Sequence, residues 1–135
     1  MAYVVTLQGS LFAGQPQASG TGFPSGMVNI GFELTPPNKV ATCSMYQTPN
    51  LNSPSSFATL PGVGDGGTVT QGTFLYLKTA NPMEVRVTQH SDSGDVVSTL
   101  YVEGVYVQEF PVGNYLKLLE AQGVGTIEYF VSGNQ

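Results

Sequence analysis

His90 is the only histidine of the chain, and it precedes the small polar residues 91–95 (Ser-Asp-Ser-Gly-Asp). A catalytic interpretation would use His90 as a base, with Asp92 as its orienting acid and a serine as the nucleophile. In catalytic triads, however, the three groups converge from separate segments with a defined geometry. Side chains at the tip of a hairpin instead diverge into solvent. We therefore predict that His90 is a solvent-exposed turn residue.

Carboxylates are the second group of residues that could do chemistry. Asp92 and Asp95 offer oxygen ligands of the kind that Ca²⁺ binds on a tight loop, but their segment matches neither an EF-hand nor a glycine–aspartate repeat. Two carboxylates could also hydrolyse a glycoside. The candidate glutamates alternate with apolar residues and are therefore predicted to be solubilising charges on an outward face: Glu84, Glu103, Glu109 and Glu128.

Residues 62–67 (Gly-Val-Gly-Asp-Gly-Gly) have the glycine content of a phosphate-binding loop. The common nucleotide-binding patterns need a helix directly after the glycines, and one of them also needs a lysine followed by Ser or Thr. Here Thr-Val-Thr follows, which is typical of a strand. We predict a loop without bound phosphate. Altogether no catalytic residues, no metal site and no cofactor are expected, and the chain is predicted not to be an enzyme.

The chain is poor in charge: of its 135 residues, 10% are charged and 41% are hydrophobic. The hydrophobic share is enough for a core, and the length predicts a single domain over residues 1–135. Disordered chains combine low hydrophobicity with high net charge, so a folded chain is expected. The core of a protein–protein contact is depleted of charged groups, which is consistent with a role in assembly.

The net charge of −5 argues against binding to nucleic acid or to an anionic membrane surface. The four basic residues are spread through the chain and form no phosphate-binding stretch: Lys39, Lys78, Arg86 and Lys117.

Cys43 is the only cysteine, so neither an internal disulfide nor a cysteine-based zinc site is expected. It lies in the alternating run 40–46, which predicts a buried thiol. The first residues lack the features of a signal peptide, and no apolar stretch approaches the roughly 18 residues that cross a bilayer. Folding in a reducing cytosol is expected.

A period of two between apolar and polar residues dominates the chain and is typical of half-buried strands. It is clearest in residues 27–34, 83–88 and 127–132. Further strand candidates are residues 3–7, 40–46, 73–79, 96–102 and 105–110. Residues 114–122 fit either a short helix or a strand. About seven to nine short strands predict an all-β fold, namely a β-sandwich of the jelly-roll kind or a small barrel.

Turn signals separate these runs at residues 36–38, 81–82, 93–95 and 123–125, and the Ser-Gly pair at 93–94 predicts a hairpin tip. Two segments rich in Gly, Pro and Ser, residues 9–26 and 48–72, are predicted to be long loops.

Glu103 and Gly104 lie where the apolar positions change parity, from Leu100 and Val102 to Val105 and Val107. A slip of one residue would turn the second apolar set to the wrong face. A bulge at Gly104 would correct it, because glycine accepts the backbone angles that a bulge needs. We predict one long, bent strand here.

The runs 75–88 and 100–107, followed by Phe110-Pro111 and by the closing run 126–133, resemble small β-sandwich structural proteins of tailed-phage particles. These include decoration or cement proteins, vertex or fibre-base proteins and head–tail adaptors. The resemblance covers residues 73–133. It implies a homo-oligomeric virion subunit, made in the host cytoplasm, that binds other virion proteins such as the major capsid protein and stabilises the assembly. It carries over no catalytic residue.

A carbohydrate-binding module of jelly-roll form stays open as an alternative, because sugar sites use exposed aromatic rings. The chain has no Trp, and the tyrosines that could take its place are Tyr76, Tyr101, Tyr106 and Tyr129. Under the assembly hypothesis a mixed pool of core and contact aromatics is expected, comprising Tyr3, Phe12, Phe23, Tyr46, Phe57 and Phe74.

Overall fold

The computed structural model describes residues 3–13, 28–34, 40–111 and 113–135, and within them there is no helix. These residues form nine β-strands, which confirms the all-β class. The strands are β1 (Tyr3–Val4), β2 (Leu7–Ala13), β3 (Val28–Leu34), β4 (Val40–Ala41), β5 (Cys43–Gln47), β6 (Asn50–Thr59), β7 (Gln71–Gln89), β8 (Val96–Glu109) and β9 (Leu116–Asn134). The turn predicted at residues 36–38 and the aromatic Phe23 lie outside the described residues.

The strands fall into two compact units. The smaller unit is an antiparallel hairpin of β2 and β3, in which Leu7 lies opposite Leu34 and Ala13 opposite Val28. The larger unit contains the other seven strands. That residues 1–135 form a single domain stays a prediction.

A five-stranded antiparallel sheet forms the larger unit, together with the short pair of β1 and β4. Its order is β8–β7–β9, and β5 and β6 share the far side of β9. β5 pairs with residues 129–133 of β9, and β6 pairs with residues 120–126. β9 is therefore the centre of the sheet, while β8 forms one edge and β5 and β6 form the other.

Alternation of side chains across the sheet explains the core. The alternating apolar residues of β7 and β9, such as Leu75, Val85 and Ile127, lie on the same face, where burial of each Val or Leu side chain stabilises the fold by about 1.5–3 kcal/mol. One contiguous cluster results: Met45, Leu60, Val63, Val69, Leu75, Leu77, Met83, Val85, Val87, Val102, Phe110, Leu116, Leu119, Ala121, Ile127, Tyr129 and Val131. The burial predicted for the alternating runs at 83–88 and 127–132 is confirmed at their apolar positions.

Two predicted turns are wrong, because residues 81–82 lie inside β7 and residues 123–125 lie inside β9. The β7–β8 register shifts between Thr79 and Met83, so Pro82 sits where the ladder is interrupted. Asn81 joins the two irregular segments: its Nδ2 donates a 2.9 Å hydrogen bond to the Val124 carbonyl oxygen. The residues that flank this segment, Thr79 and Met83, are paired with β8, and their pairing carries β7 through the turn-forming residues.

β6 was not expected, since residues 48–72 were predicted to be a loop. It is a polar edge strand that contains Pro54, and its pairing with β9 shifts between Ser53 and Ala58. The β6 sequence shows no clear alternation of apolar residues, because none of its side chains belongs to the buried core cluster. The ambiguous residues 114–122 lie largely in β9, which settles them as strand.

The continuous strand expected around Gly104 is confirmed as β8, and Gly104 has a φ of +99°. The expected correction of parity is wrong, however. Val102 is 3% exposed while Val105 is 60% exposed, so the two valines lie on opposite faces. The reason is that the register shift opposite Gly104 adds two residues to β7, an even number that preserves the alternation of β8. The second apolar set of β8 is thereby left on the outside.

Candidate interaction surface

The hairpin that follows His90 forms at the predicted position, but the surroundings of the His90 side chain differ from the prediction. Gly94 N donates to the Ser91 carbonyl oxygen at 3.0 Å, which closes the turn between β7 and β8. His90 is half-buried rather than free in solvent, because its ring stacks on Tyr115 with the ring centroids 4.7 Å apart. Its Nδ1 lies 3.3 Å from Asp95 Oδ1. The acid beside His90 is thus Asp95 and not Asp92.

A lysine from β9 completes this group. Lys117 Nζ lies 2.9 Å from Asp95 Oδ2, next to a surface hollow of about 350 Å³ that Asp65 and Thr88 also line. Ser91, the serine next to His90 in the chain, is otherwise engaged, since its hydroxyl donates to the Gly94 carbonyl oxygen at 2.5 Å. The arrangement is an ion-pair network that ties β9 to the hairpin. Sequence reasoning missed Lys117 and Tyr115 because they are distant along the chain.

The network makes the titration of Asp95 depend on Lys117. The hydrogen bond from Lys117, supported by His90, lowers the pKa of Asp95 below its ordinary value, and the same contact raises the pKa of Lys117. A depressed carboxyl pKa stabilises the fold above the ordinary pKa and ceases to do so as the pH falls through the folded value. We expect Lys117→Met to raise the pKa of Asp95, measured by NMR titration of its carboxyl carbon. A Lys78→Met control should leave the Asp95 titration unchanged.

Other residues that the sequence singles out for chemistry make hydrogen bonds within the fold. Within residues 62–69 backbone amides bind carbonyl groups of the same loop: Gly67 N donates to Gly64 O at 2.9 Å, and Val69 N to Gly62 O at 3.0 Å. Glu128 accepts a 2.7 Å hydrogen bond from the Tyr46 hydroxyl. In the described part of the chain no group of three or more His, Cys, Asp or Glu side chains could hold a metal ion.

The thiol of Cys43 is half-buried rather than fully buried, and its Sγ lies 3.5 Å from the Gly133 carbonyl oxygen.

An aromatic row crosses the sheet on the face opposite the core. Tyr46 of β5 lies opposite Phe130 of β9, which lies opposite Tyr76 of β7, which in turn lies opposite Val107 of β8. Tyr46 is 57% exposed and the other three are half-buried. Burial raises the pKa of Tyr76, and the hydrogen bond to Glu128 raises that of Tyr46, so both hydroxyls stay neutral at physiological pH. The row itself is uncharged and partly buried, with the Glu128 carboxylate beside Tyr46.

The outer row of β8, defined as Val97, Tyr101 and Val105, is the most exposed apolar feature of the sheet. These residues are 56%, 71% and 60% exposed, and they follow one another at intervals of four along one face of an edge strand. Among the described residues β8 pairs with β7 alone. Its other side therefore presents backbone groups to solvent beside apolar side chains.

The aromatic residues named above differ in their surroundings. Tyr129 is fully buried and donates a 2.7 Å hydrogen bond to the Pro61 carbonyl oxygen, so it cannot serve as a sugar platform. Phe74 is buried. The Arg86 guanidinium lies over the Phe57 ring, with its Cζ 3.8 Å from the ring centroid. The side chains of Tyr3 and Phe12 lie outside the described residues. Because the Tyr101 ring is exposed, carbohydrate binding stays a prediction.

Among the described residues, no helix is long and apolar enough to span a membrane. Comparison of the chain with protein-family models, with curated proteins and with solved structures finds no match.

Proposed function

We propose that this protein is a structural subunit that binds other protein subunits and stabilises their assembly. The observation that carries the proposal is the outer row of β8, in which three large apolar side chains stand more than half exposed on one edge strand. Large exposed apolar patches mark interaction sites in soluble proteins; on this face Thr99 and Glu103 stand between the three apolar side chains. The aromatic row extends this surface across the sheet without adding charge.

The physical mechanism is burial of this surface against a neighbour. Tyr and Phe are enriched, and charged groups are depleted, in the core of a protein–protein contact. Tyr101 is the natural anchor, because a tyrosine combines a large apolar area with few rotatable bonds. The sheet of long strands supplies a rigid body on which this surface is held.

The assembly we propose is a bacteriophage particle, in which the chain is a β-sandwich subunit that binds other virion proteins, the major capsid protein among them. The resemblance of residues 73–133 to small virion proteins supports this setting, and so does the charge-poor composition. The same proposal places the chain in the virion after synthesis in the host cytoplasm. It assigns no catalytic residue and no cofactor.

The test uses phage particles made without the gene for this chain and supplied with variants of it. We expect wild-type protein in purified particles at a fixed ratio to the shell protein, and Val105→Lys at a level reduced by about tenfold or more, because the variant would bury an unpaired charge in the contact. Val124→Lys is the matched control, since Val124 is 50% exposed but lies on β9. Quantitative mass spectrometry of the particles gives the ratio.

Both variants change an exposed valine to lysine, so their folded stability should stay within about 0.5 kcal/mol of the wild type. Equal incorporation of Val105→Lys and wild-type protein would show that the outer row makes no contact. If purified particles lack the wild-type chain altogether, the virion setting is wrong.

A further inference from the structure

We infer that two copies of this chain pair through their β8 edges, antiparallel and about a two-fold axis at Tyr101, into one continuous sheet. This inference rests on the proposed function, because it names a partner for the outer row. It commits to a second copy of the chain on the grounds of edge chemistry, side-chain complementarity and charge.

The two edges of the sheet are protected differently. Exposed edge strands in natural proteins are usually guarded by Lys, by Pro or by register irregularities, which prevent edge-to-edge pairing. β6 carries Pro54 and a register shift. β8 contains neither Lys nor Pro in fourteen residues; its charged residues are Glu103 and Glu109, and the irregularity near Gly104 places its extra residues in β7. The β8 edge is therefore open to pairing with another strand.

The backbone of β8 has the polarity that such pairing needs. The Val102 carbonyl oxygen accepts a hydrogen bond from the Thr79 hydroxyl, on the side of β7. Because successive residues of a strand direct their amide groups to opposite sides, the N–H and C=O of Tyr101 point to the open edge. Two copies of Tyr101 can thus exchange both backbone hydrogen bonds across a two-fold axis.

The side chains fix the register. A two-fold axis at Tyr101 places Val97 opposite the partner's Val105 and Tyr101 opposite the partner's Tyr101. All three strongly exposed apolar residues of the outer row then face one another. On the other face Leu100 meets the partner's Val102. Cross-strand pairs of aromatic and β-branched residues each contribute about 0.2–1 kcal/mol.

Charge disfavours the neighbouring alternative with its axis at Glu103. That register would place Glu103 directly opposite the partner's Glu103, and like charges facing each other across strands are destabilising. With the axis at Tyr101, Glu103 instead faces the partner's Thr99. A third register, with its axis at Val102, sets Val97 opposite the partner's Val107 and leaves Tyr101 facing the partner's Glu103, so it buries fewer apolar pairs.

Cysteine cross-linking tests the pairing and its register together. In a Cys43→Ser background, Tyr101→Cys should form an intermolecular disulfide under mild oxidation. Facing residues of a hydrogen-bonded antiparallel pair have Cα atoms about 5.5 Å apart, within the range that a disulfide spans. Val97→Cys mixed with Val105→Cys should cross-link as well, whereas each of these two alone should not. Non-reducing electrophoresis gives the yields.

Light scattering of the wild type should show a dimer, and Val105→Lys should raise the dimer dissociation constant by about tenfold or more, because it places an unpaired charge opposite Val97. Val124→Lys should not change it. Cross-linking of Val97→Cys with Val107→Cys in place of Val105→Cys would overturn the register. A wild type that stays monomeric and does not cross-link would overturn the pairing.

The two proposals fail in different ways. If the chain is monomeric in solution but Val105→Lys still lowers its level in particles, the outer row binds a different subunit; the assembly function then stands and self-pairing is wrong. If the chain dimerises through β8 but is absent from particles, self-pairing stands and the virion setting is wrong.

Discussion

Gly133→Ala is expected to lower the free energy of unfolding by about 3 kcal/mol or more, or to prevent folding altogether. Gly133 lies in β9 between Gly72 of β7 and Cys43 of β5. A methyl group at this position would overlap the carbonyl oxygen of Gln71 and lie 2.9 Å from the Gly72 Cα. Both are backbone atoms of the neighbouring strand, so they cannot move aside as a flexible side chain would.

Urea unfolding followed by far-ultraviolet circular dichroism measures this effect. The matched control is Gly31→Ala, because Gly31 also lies within a strand but has no atom within 4 Å of the added methyl group. The control should be neutral or slightly stabilising, since alanine restricts the unfolded chain more than glycine does. Equal stability of Gly133→Ala and wild type would mean that β5, β7 and β9 do not meet at this point.

Tyr129→Phe is expected to lower the stability of the protein at neutral pH, and this loss should shrink as the pH rises above 10. The buried hydroxyl donates to the Pro61 carbonyl oxygen at 2.7 Å, and its removal should cost about 1–2 kcal/mol at pH 7. Burial also raises the pKa of Tyr129 from an ordinary value of 10.0 to about 12. A raised pKa means that the neutral hydroxyl is favoured in the folded state.

The sign of the pH dependence follows from that shift. The stabilisation is fully present below pH 10 and is lost as the pH rises from about 10 to about 12, by about 2 kcal/mol at most. Phenylalanine cannot ionise, so Tyr129→Phe should lose less stability over this range, and the two curves should converge or cross near pH 12. Urea unfolding at pH 8 and at intervals up to pH 12 measures both curves.

Tyr101→Phe is the control for this experiment, because the Tyr101 side chain is 71% exposed in the protomer and lies outside the core. Its stability should track that of the wild type at each pH. Parallel curves for Tyr129→Phe and wild type between pH 9 and pH 12 would contradict the burial of the Tyr129 hydroxyl.

Much of the fold could be predicted because strand formation leaves a local signal. Val85 and Val87 alternate with charged or polar neighbours, and Ile127 does the same, so their burial follows from a pattern within a few residues. The hairpin at Ser93 and Gly94 was predictable for the same reason. The segment at Pro82 was not, because turn propensity is also local and is overridden here by the pairing of the residues before and after the segment.

The candidate surface could not be predicted, since it depends on which strands become neighbours. The sequence pattern predicts that Val105 is a core residue. Its exposure follows from the extra residues of β7 between the partners of Gly104 and Val102. The aromatic row joins Tyr46, Tyr76 and Phe130, which come from three distant segments.

By itself the sequence determined that this protein is an all-β chain with a low density of charge, and it determined which residues of each long run share a face. The reason is that the alternation of a strand is a property of neighbours along the chain. Only the tertiary structure decided that Val105 would be exposed and that Lys117 would meet Asp95. Those outcomes depend on register between strands, which is set by pairing across the sheet.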